Sequence, residues 1–450
     1  MPDTTYDLVV IGTGSGGAPA AFRCAADGWS VAIVDERPYG GTCAVRGCDP
    51  KKVLIGGAQL TDWSRRMQGH GVDGDLQVDW PALMDFKRSF TEPVPDDRKR
   101  RFHAKGIDTF DGTARFVADD AIEVGGETLG FEHLLLANGA KPTPLPIGGA
   151  EHLTTSTEFL ELDALPDRLA FVGGGYISFE FAHLAARAGA DVTIVHRGPR
   201  PLENFDSDLA EPLAEHTRDL GITLHLGTEV TAIEKHEENV LVRATQNGQT
   251  LSIEADRAVH GAGRVPRLDE IDLETGGIEA TRHGVSVDEH LQSTGNSRVW
   301  AAGDAADTPG LPLTPVATME SLTVASNLRG GGRTPNYDGI PTVVFTIPPM
   351  ASVGHTEAEA REQGIDASVR YKSDITGWYS YERLAADVAA FKVVVEEDTD
   401  RIVGAHVLGE RAEEVINLFA LAIRHGISAS ELRHGVYAYP THASDLPHMV

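Results

Sequence analysis

One unit, written twice, limits what this chain can fold into. Residues Tyr6 to Asp35 read as an apolar strand (DLVVIG), a glycine turn (GTGSGG), an alanine-rich helix and a second strand (VAIVD). The stretch LAFVGGGYISFEFAHLAARAGADVTIVHR, starting at Leu169, repeats that order. Strand, crossover helix and parallel strand make a βαβ unit, so two copies predict two doubly wound α/β domains. In the first copy Gly12, Gly14 and Gly17 fit GxGxxG, whose glycines give the tight turn, the close approach to a pyrophosphate and the helix–strand packing. The helix N-terminus offers free N–H groups and a positive dipole to a diphosphate. Asp35, with Glu36 beside it, ends the second strand, where an acid accepts hydrogen bonds from a ribose hydroxyl pair.

The second copy differs where its ligand would be read. Gly173 and Gly175 hold the first two glycine positions, followed by Tyr176 and Ile177, while Ser178 replaces the third glycine. The offset that leads from Gly12 to Asp35 leads from Gly173 to His196, so no acid stands there. His196, Arg197 and Arg200 form a small basic cluster instead, which is what a 2′-phosphate requires. This copy therefore reads as an NADPH site rather than an NADH site. Solvated loop arginines are the plain alternative.

Just after the first unit comes GGTCAVRGCDPKK, Gly40 to Lys52, with Cys43 and Cys48 separated by four residues. Metal sites want paired CxxC motifs or a nearby Cys/His pair, and the only other cysteine is Cys24. So few cysteines also make a poor structural disulfide framework. A redox-active dithiol remains, placed where flavin or nicotinamide chemistry would sit. Adjacency to it assigns FAD to the first dinucleotide site.

A chain of 450 residues predicts about two to four domains. With 41% hydrophobic and 24% charged residues it is ordinary for a globular protein. No run approaches the ~20 apolar residues of a membrane span. The first strand starts so early that no signal peptide is expected, and a cytoplasmic location follows. A formal charge of −28 argues against nucleic acid and anionic membranes as partners, since both need clustered Lys and Arg.

On these motifs the chain resembles the FAD-dependent pyridine nucleotide–disulfide oxidoreductases, the group of glutathione reductase, dihydrolipoamide dehydrogenase and mercuric reductase. The resemblance implies two Rossmann-like dinucleotide-binding domains plus an α+β C-terminal dimerisation domain. The expected boundaries are residues 1–148 for FAD and the redox cysteines, 149–268 for NAD(P)H, 269–335 for a central domain completing the FAD site, and 336–450 for the interface of a homodimer. It further implies FAD contacts from Gly41, Thr42 and Lys52, from the crossover segment Ala137-Asn138-Gly139, from Gly303-Asp304 after the strand VWAA, and from Thr314 at the start of the next helix. Gly263 and Arg264 resemble the residues along the NADPH phosphates, and Tyr176 the residue that covers the empty nicotinamide pocket. Cys48 would face the flavin and Cys43 would attack the acceptor. Lys51, paired with Glu180, would stabilise negative charge on the reduced flavin. The aromatics Trp378, Tyr379 and Tyr381 are expected in the interface core.

The resemblance breaks at YAYPTHASDLPHMV. Disulfide reductases of this group carry HPT there and an acid five residues after the His, a pair that protonates the leaving thiolate. Here those positions are Tyr439 and Ser444, with Asp445 next and His442 between them. A phenol is a poor proton shuttle at neutral pH. His442 is a candidate substitute acid, or else a solvated loop residue. The reading is an NADPH-dependent disulfide oxidoreductase acting on a small-molecule disulfide or other two-electron acceptor, with no resident metal. Metal-ion reduction of the mercuric reductase kind, or quinone diaphorase activity, is the alternative. Mercuric reductases share the tyrosine but add a C-terminal cysteine pair, which this sequence, ending at Val450, does not carry.

Overall fold

The computed structural model describes residues 2–450. The chain forms two compact units, each made from three segments. Unit 1 comprises Met1–Lys51, Phe86–Thr143 and Arg264–Tyr337, and unit 2 comprises Lys52–Asp85, Pro144–Gly263 and Asp338–Val450.

Unit 1 is built on one sheet. Strands Ile107–Asp111, Val31–Asp35, Thr4–Ile11 and Glu127–Leu136 lie side by side in parallel, and Val299–Ala301 joins in parallel along Leu134 to Leu136. Two antiparallel strands, Ala121–Val124 and Arg115–Ala118, continue the sheet. Leu8, Val9 and Val10 are fully buried, the continuous apolar run of a parallel strand covered on both faces. Helix Ala18–Ala26 covers one face with Ala18, Ala20, Ala21 and Cys24. It approaches closely because Gly17 carries no Cβ, which would lie 2.1 Å from the Gly12 carbonyl oxygen.

Unit 2 repeats the arrangement. Strands Thr223–His225, Asp191–Val195, Arg168–Val172 and Arg257–His260 form a parallel sheet, beside a three-stranded antiparallel meander spanning Thr228 to Ala255. The missing third glycine is compensated from across the turn. Ser178 is fully buried, and a Cβ on Gly261 would lie 1.9 Å from its hydroxyl oxygen, so a glycine on the opposing strand end makes the room. The C-terminal part is an antiparallel sheet in the order Thr342–Val344, Met350–Gly354, Ile402–Leu408, Ala390–Glu396, Ala367–Lys372. Helix Ala412–His425 packs on it through Val415, Ile416 and Phe419. This is the expected α/β fold with two dinucleotide-binding sheets and an α+β C-terminal part. No helix among the described residues is long and apolar enough to cross a membrane.

One expectation is corrected here. Tyr381 is fully buried and Trp378 packs on Phe391, both within the chain's own C-terminal core. Of the three loop aromatics only Tyr379 stands exposed.

A charge network ties unit 2 together from within. Asp62 accepts from Arg187 Nε at 2.9 Å through one oxygen and from Arg66 Nε at 2.8 Å through the other. Arg187 also donates to the Ile347 carbonyl at 2.8 Å and Arg66 to the Leu384 carbonyl at 2.6 Å, while Glu410 pairs with Arg66. Burial alone would raise the pKa of Asp62, but the two guanidinium groups outweigh it and hold the carboxyl below its ordinary range.

Candidate active site

The cysteine segment is seated on the first glycine turn. Gly40 and Gly41 have φ of 123° and 74°, which only glycine adopts readily, and they start the short helix Gly41–Arg46. A Cβ on Gly41 would lie 2.3 Å from the Gly14 Cα, so two backbones meet where no side chain fits. The Gly40 N–H donates to Thr13 Oγ1 at 3.0 Å, and that hydroxyl donates to Asp35 at 2.6 Å. Asp35 also takes the Thr13 and Arg37 N–H groups, at 2.9 and 3.0 Å. Thr13 thus links the strand-end acid to the cysteine helix. Sequence reasoning passed over it, because the variable position inside GxG carries no pattern. Glu36 pairs with Arg267 and accepts from Thr113.

Helix Cys48–Arg66 follows directly. Cys43 is half-buried and Cys48 exposed, and neither is in a disulfide. Cys48 Sγ lies 3.6 Å from Thr314 Oγ1, and Cys43 Sγ lies 3.8 Å from Asp49 Oδ1. The two thiols hydrogen-bond one another. That bond, then burial, pushes the Cys43 pKa up, and Thr314 opposes them. The arrangement is a dithiol with a hydroxyl against it. Cys24 takes no part: it is fully buried, its thiol pushed up to about 11 by burial.

Gly303-Asp304 forms a 3-10 turn after strand Val299–Ala301. Burial raises the Asp304 pKa, and the Arg264 guanidinium opposes that. Arg264, expected along the second dinucleotide, donates to the Ala140 carbonyl at 2.6 Å within unit 1. The Gly303 N–H is held by Glu320 at 2.6 Å, and this buried carboxylate also accepts from Thr308 and Tyr337. Glu320 was legible only as an acid inside an otherwise neutral helix, Thr314–Asn327.

In unit 2 the second glycine turn is equally tight: a Cβ on Gly173 would lie 2.3 Å from the Gly261 oxygen. Helix Tyr176–Arg187 starts at Gly175. Tyr176 shares a 2.8 Å hydrogen bond with Thr342 Oγ1 and leans on Phe205. Glu180, 3% exposed, accepts from the Phe345 N–H at 2.8 Å, so it is no surface acid. Lys52 Nζ stands 4.1 Å over the Phe345 ring. Lys51 belongs to unit 1. His196 Nε2 meets the Arg200 carbonyl at 3.0 Å, and Arg200 donates to the Glu203 carbonyl, while Arg197 is exposed.

At the C-terminus Tyr439 is 79% exposed and stacks on Tyr379. His442 is neither solvated nor a ready acid. It is 6% exposed, its Nε2 has no hydrogen-bond partner, and Tyr381 meets its ring edge-on. Burial, aided by Arg383 and Arg411, lowers its pKa to about 4. The substitute-acid expectation fails on that burial. Among the described residues no three His, Cys, Asp or Glu side chains converge as a metal site requires.

Unit 1 fits an anionic dinucleotide. The crevice at Gly12, Gly14 and Gly41 is one that Cβ atoms would fill, and guanidinium groups gather beside it. The family description "Pyridine nucleotide-disulphide oxidoreductase" matches residues 6–321, and its dimerisation domain matches residues 340–450. The chain belongs to this family. It is accordingly an FAD-dependent oxidoreductase that takes electrons from a pyridine nucleotide, and its dimerisation domain marks a homodimer. Pyridine nucleotide–disulfide oxidoreductases similar to it include a dihydrolipoyl dehydrogenase from Haloferax volcanii, 33% identical over 97% of this chain and 94% of the relative. A glutathione reductase from Burkholderia cepacia is 33% identical over 99% and 98%, and a mercuric reductase from Staphylococcus aureus 30% identical over 99% and 82%. Among solved structures, the HOCl-induced flavoprotein disulfide reductase RclA from Escherichia coli matches with a TM-score of 0.87 at 28% identity, covering 99% of both chains. A Cu(II) complex of RclA matches with a TM-score of 0.89.

Proposed function

We propose that the chain uses NADPH to reduce a small two-electron acceptor through the Cys43/Cys48 dithiol, and that ordinary alkyl disulfides are poor acceptors. The dithiol carries this reading: two thiols in hydrogen-bond reach, heading consecutive helices on the FAD-side glycine turn. Bound FAD supplies the two-electron step between the reduced nicotinamide and the dithiol. Gly12, Gly14, Gly17, Asp35, Gly41, Thr42, Asp304 and Thr314 would hold it, with Lys51 as the cation near its ring. Cys48 then faces the flavin and Cys43 meets the acceptor. The Cys43 thiolate attacks one sulfur of a disulfide, and Cys48 resolves the mixed disulfide, releasing a thiolate at each step. Neither Tyr439 nor the buried His442 supplies a proton, so acceptors that leave as low-pKa thiolates react best. His196, Arg197 and Arg200 support NADPH over NADH.

Metal-ion reduction is the second reading. It is favoured by the likeness to the mercuric reductase and to the RclA structure solved with Cu(II). The deciding experiment follows NADPH and NADH oxidation with glutathione disulfide, an aromatic disulfide, a quinone, Cu(II) and Hg(II), for wild type and Cys43→Ser. The proposal expects the aromatic disulfide to work only when Cys43 is present. Glutathione disulfide turned over at kcat/KM near ~10⁶ M⁻¹s⁻¹ would overturn it. Activities that all survive Cys43→Ser would make the protein a flavin diaphorase.

A further inference from the structure

Arg46 ends the short helix that carries Cys43, and its position is unusual for a cation. It is 8% exposed, its Nε is buried without a partner, and its one hydrogen bond is a long 3.4 Å contact to the Pro38 carbonyl. A basic residue at a helix end is commonplace when water solvates it; burying it without an acid is costly. The carboxylate that attracts it, Asp35, is already taken by Thr13 and by the Arg37 N–H. The other charges Arg46 feels are Arg37 and Arg264, both repelling it. Arg264 is itself mostly buried and bonded to a neutral carbonyl. Arg264 has Asp304 to attract it and Arg37 has Glu36 at 3.8 Å, so of the three guanidinium groups Arg46 is the one left with a carboxylate already bonded elsewhere.

We propose that Arg46 is an anion-binding residue of the FAD site, and that the group it receives is the diphosphate. A planar guanidinium offers several donors to phosphate oxygens, and a diphosphate brings the acceptor and the negative charge that Arg46 lacks. The glycine turn limits where that anion can lie, because Gly14 and Gly41 meet backbone to backbone with no side chain between them. Arg46 thereby couples cofactor seating to the dithiol, since it stands two residues before Cys48 on the same segment. The inference rests on the family's FAD dependence and is independent of the acceptor.

The test uses full-length protein, as holoenzyme and after flavin removal, with Arg46→Gln and Arg46→Lys. Flavin release from the holoenzyme is read by its fluorescence, and FAD, ADP and adenosine are titrated into the stripped protein by calorimetry. Arg46→Gln should bind FAD and ADP about tenfold to a hundredfold more weakly, the range for losing a charge-assisted contact, with adenosine unchanged. Melting of the stripped variant should be no lower than wild type, because a repelled buried charge has gone. Arg46→Lys keeps the charge without the fork and should fall between. Unchanged FAD and ADP affinity overturns the proposal. So does a parallel loss of adenosine, or a lower melting temperature of the stripped variant, either of which assigns Arg46 to holding the loop. Should Arg46→Gln fail to fold, Arg46→Lys decides by the same ADP-against-adenosine comparison.

Discussion

His442 carries a pH signature. Held near 4 in the fold against roughly 6.5 unfolded, it binds fewer protons folded, so the fold loses stability as pH falls from 6.5 to 4. The span corresponds to about 3 kcal/mol, all of it retained above pH 6.5. His442→Gln should flatten that acid limb in melting curves measured against pH, and parallel limbs would refute the assignment. At Tyr439 the expected gain is catalytic. Tyr439→His combined with Ser444→Glu restores an imidazole and its carboxylate, and a glutamate suits position 444 because Thr441 already caps that turn through the Ser444 N–H. Turnover of glutathione disulfide should rise about a hundredfold; an unchanged kcat would show that the proton is not limiting. The cysteines and turn glycines were legible because their chemistry or conformation is local. The fate of His442 was not, since Tyr381 buries it from sixty residues away in sequence, as was the role of Thr13, whose partner Gly40 lies beyond the next strand.

Among elements, the helix Thr314–Asn327 is set by its first residue. The Thr314 hydroxyl lies against Cys48 and lowers the proton affinity of Cys43, so Thr314→Val should move the midpoint of thiol alkylation up by about half a unit to one unit. Iodoacetamide rates on the reduced protein against pH measure this, and a fixed midpoint would remove Thr314 from the thiol chemistry. Strand, turn and helix order of the two glycine-turn units could be read directly. The compensation of Ser178 by Gly261 could not be read, because it joins the start of one helix to the end of a strand more than eighty residues later.

At the scale of the molecule, the Asp62 network binds segments that the sequence keeps far apart. Asp62→Asn leaves Arg66 and Arg187 buried with Glu410 as their remaining acid and should cost about 3–5 kcal/mol. The urea midpoint should fall at unchanged slope, and a loss under about 1 kcal/mol would show that the network is replaceable. Nothing in the order of residues announces this network, since its members look like ordinary surface charges until the fold encloses them. The sheet of unit 1 is likewise assembled from distant pieces, for Val299 to Ala301 pair with Leu134 to Leu136. A ribosome delivering this chain from its N-terminus presents both glycine turns and the cysteine loop long before residue 301 emerges. The nascent protein therefore carries that sheet edge open from the making of Leu136 until Ala301 follows, exposed to wrong pairings that the finished sheet excludes.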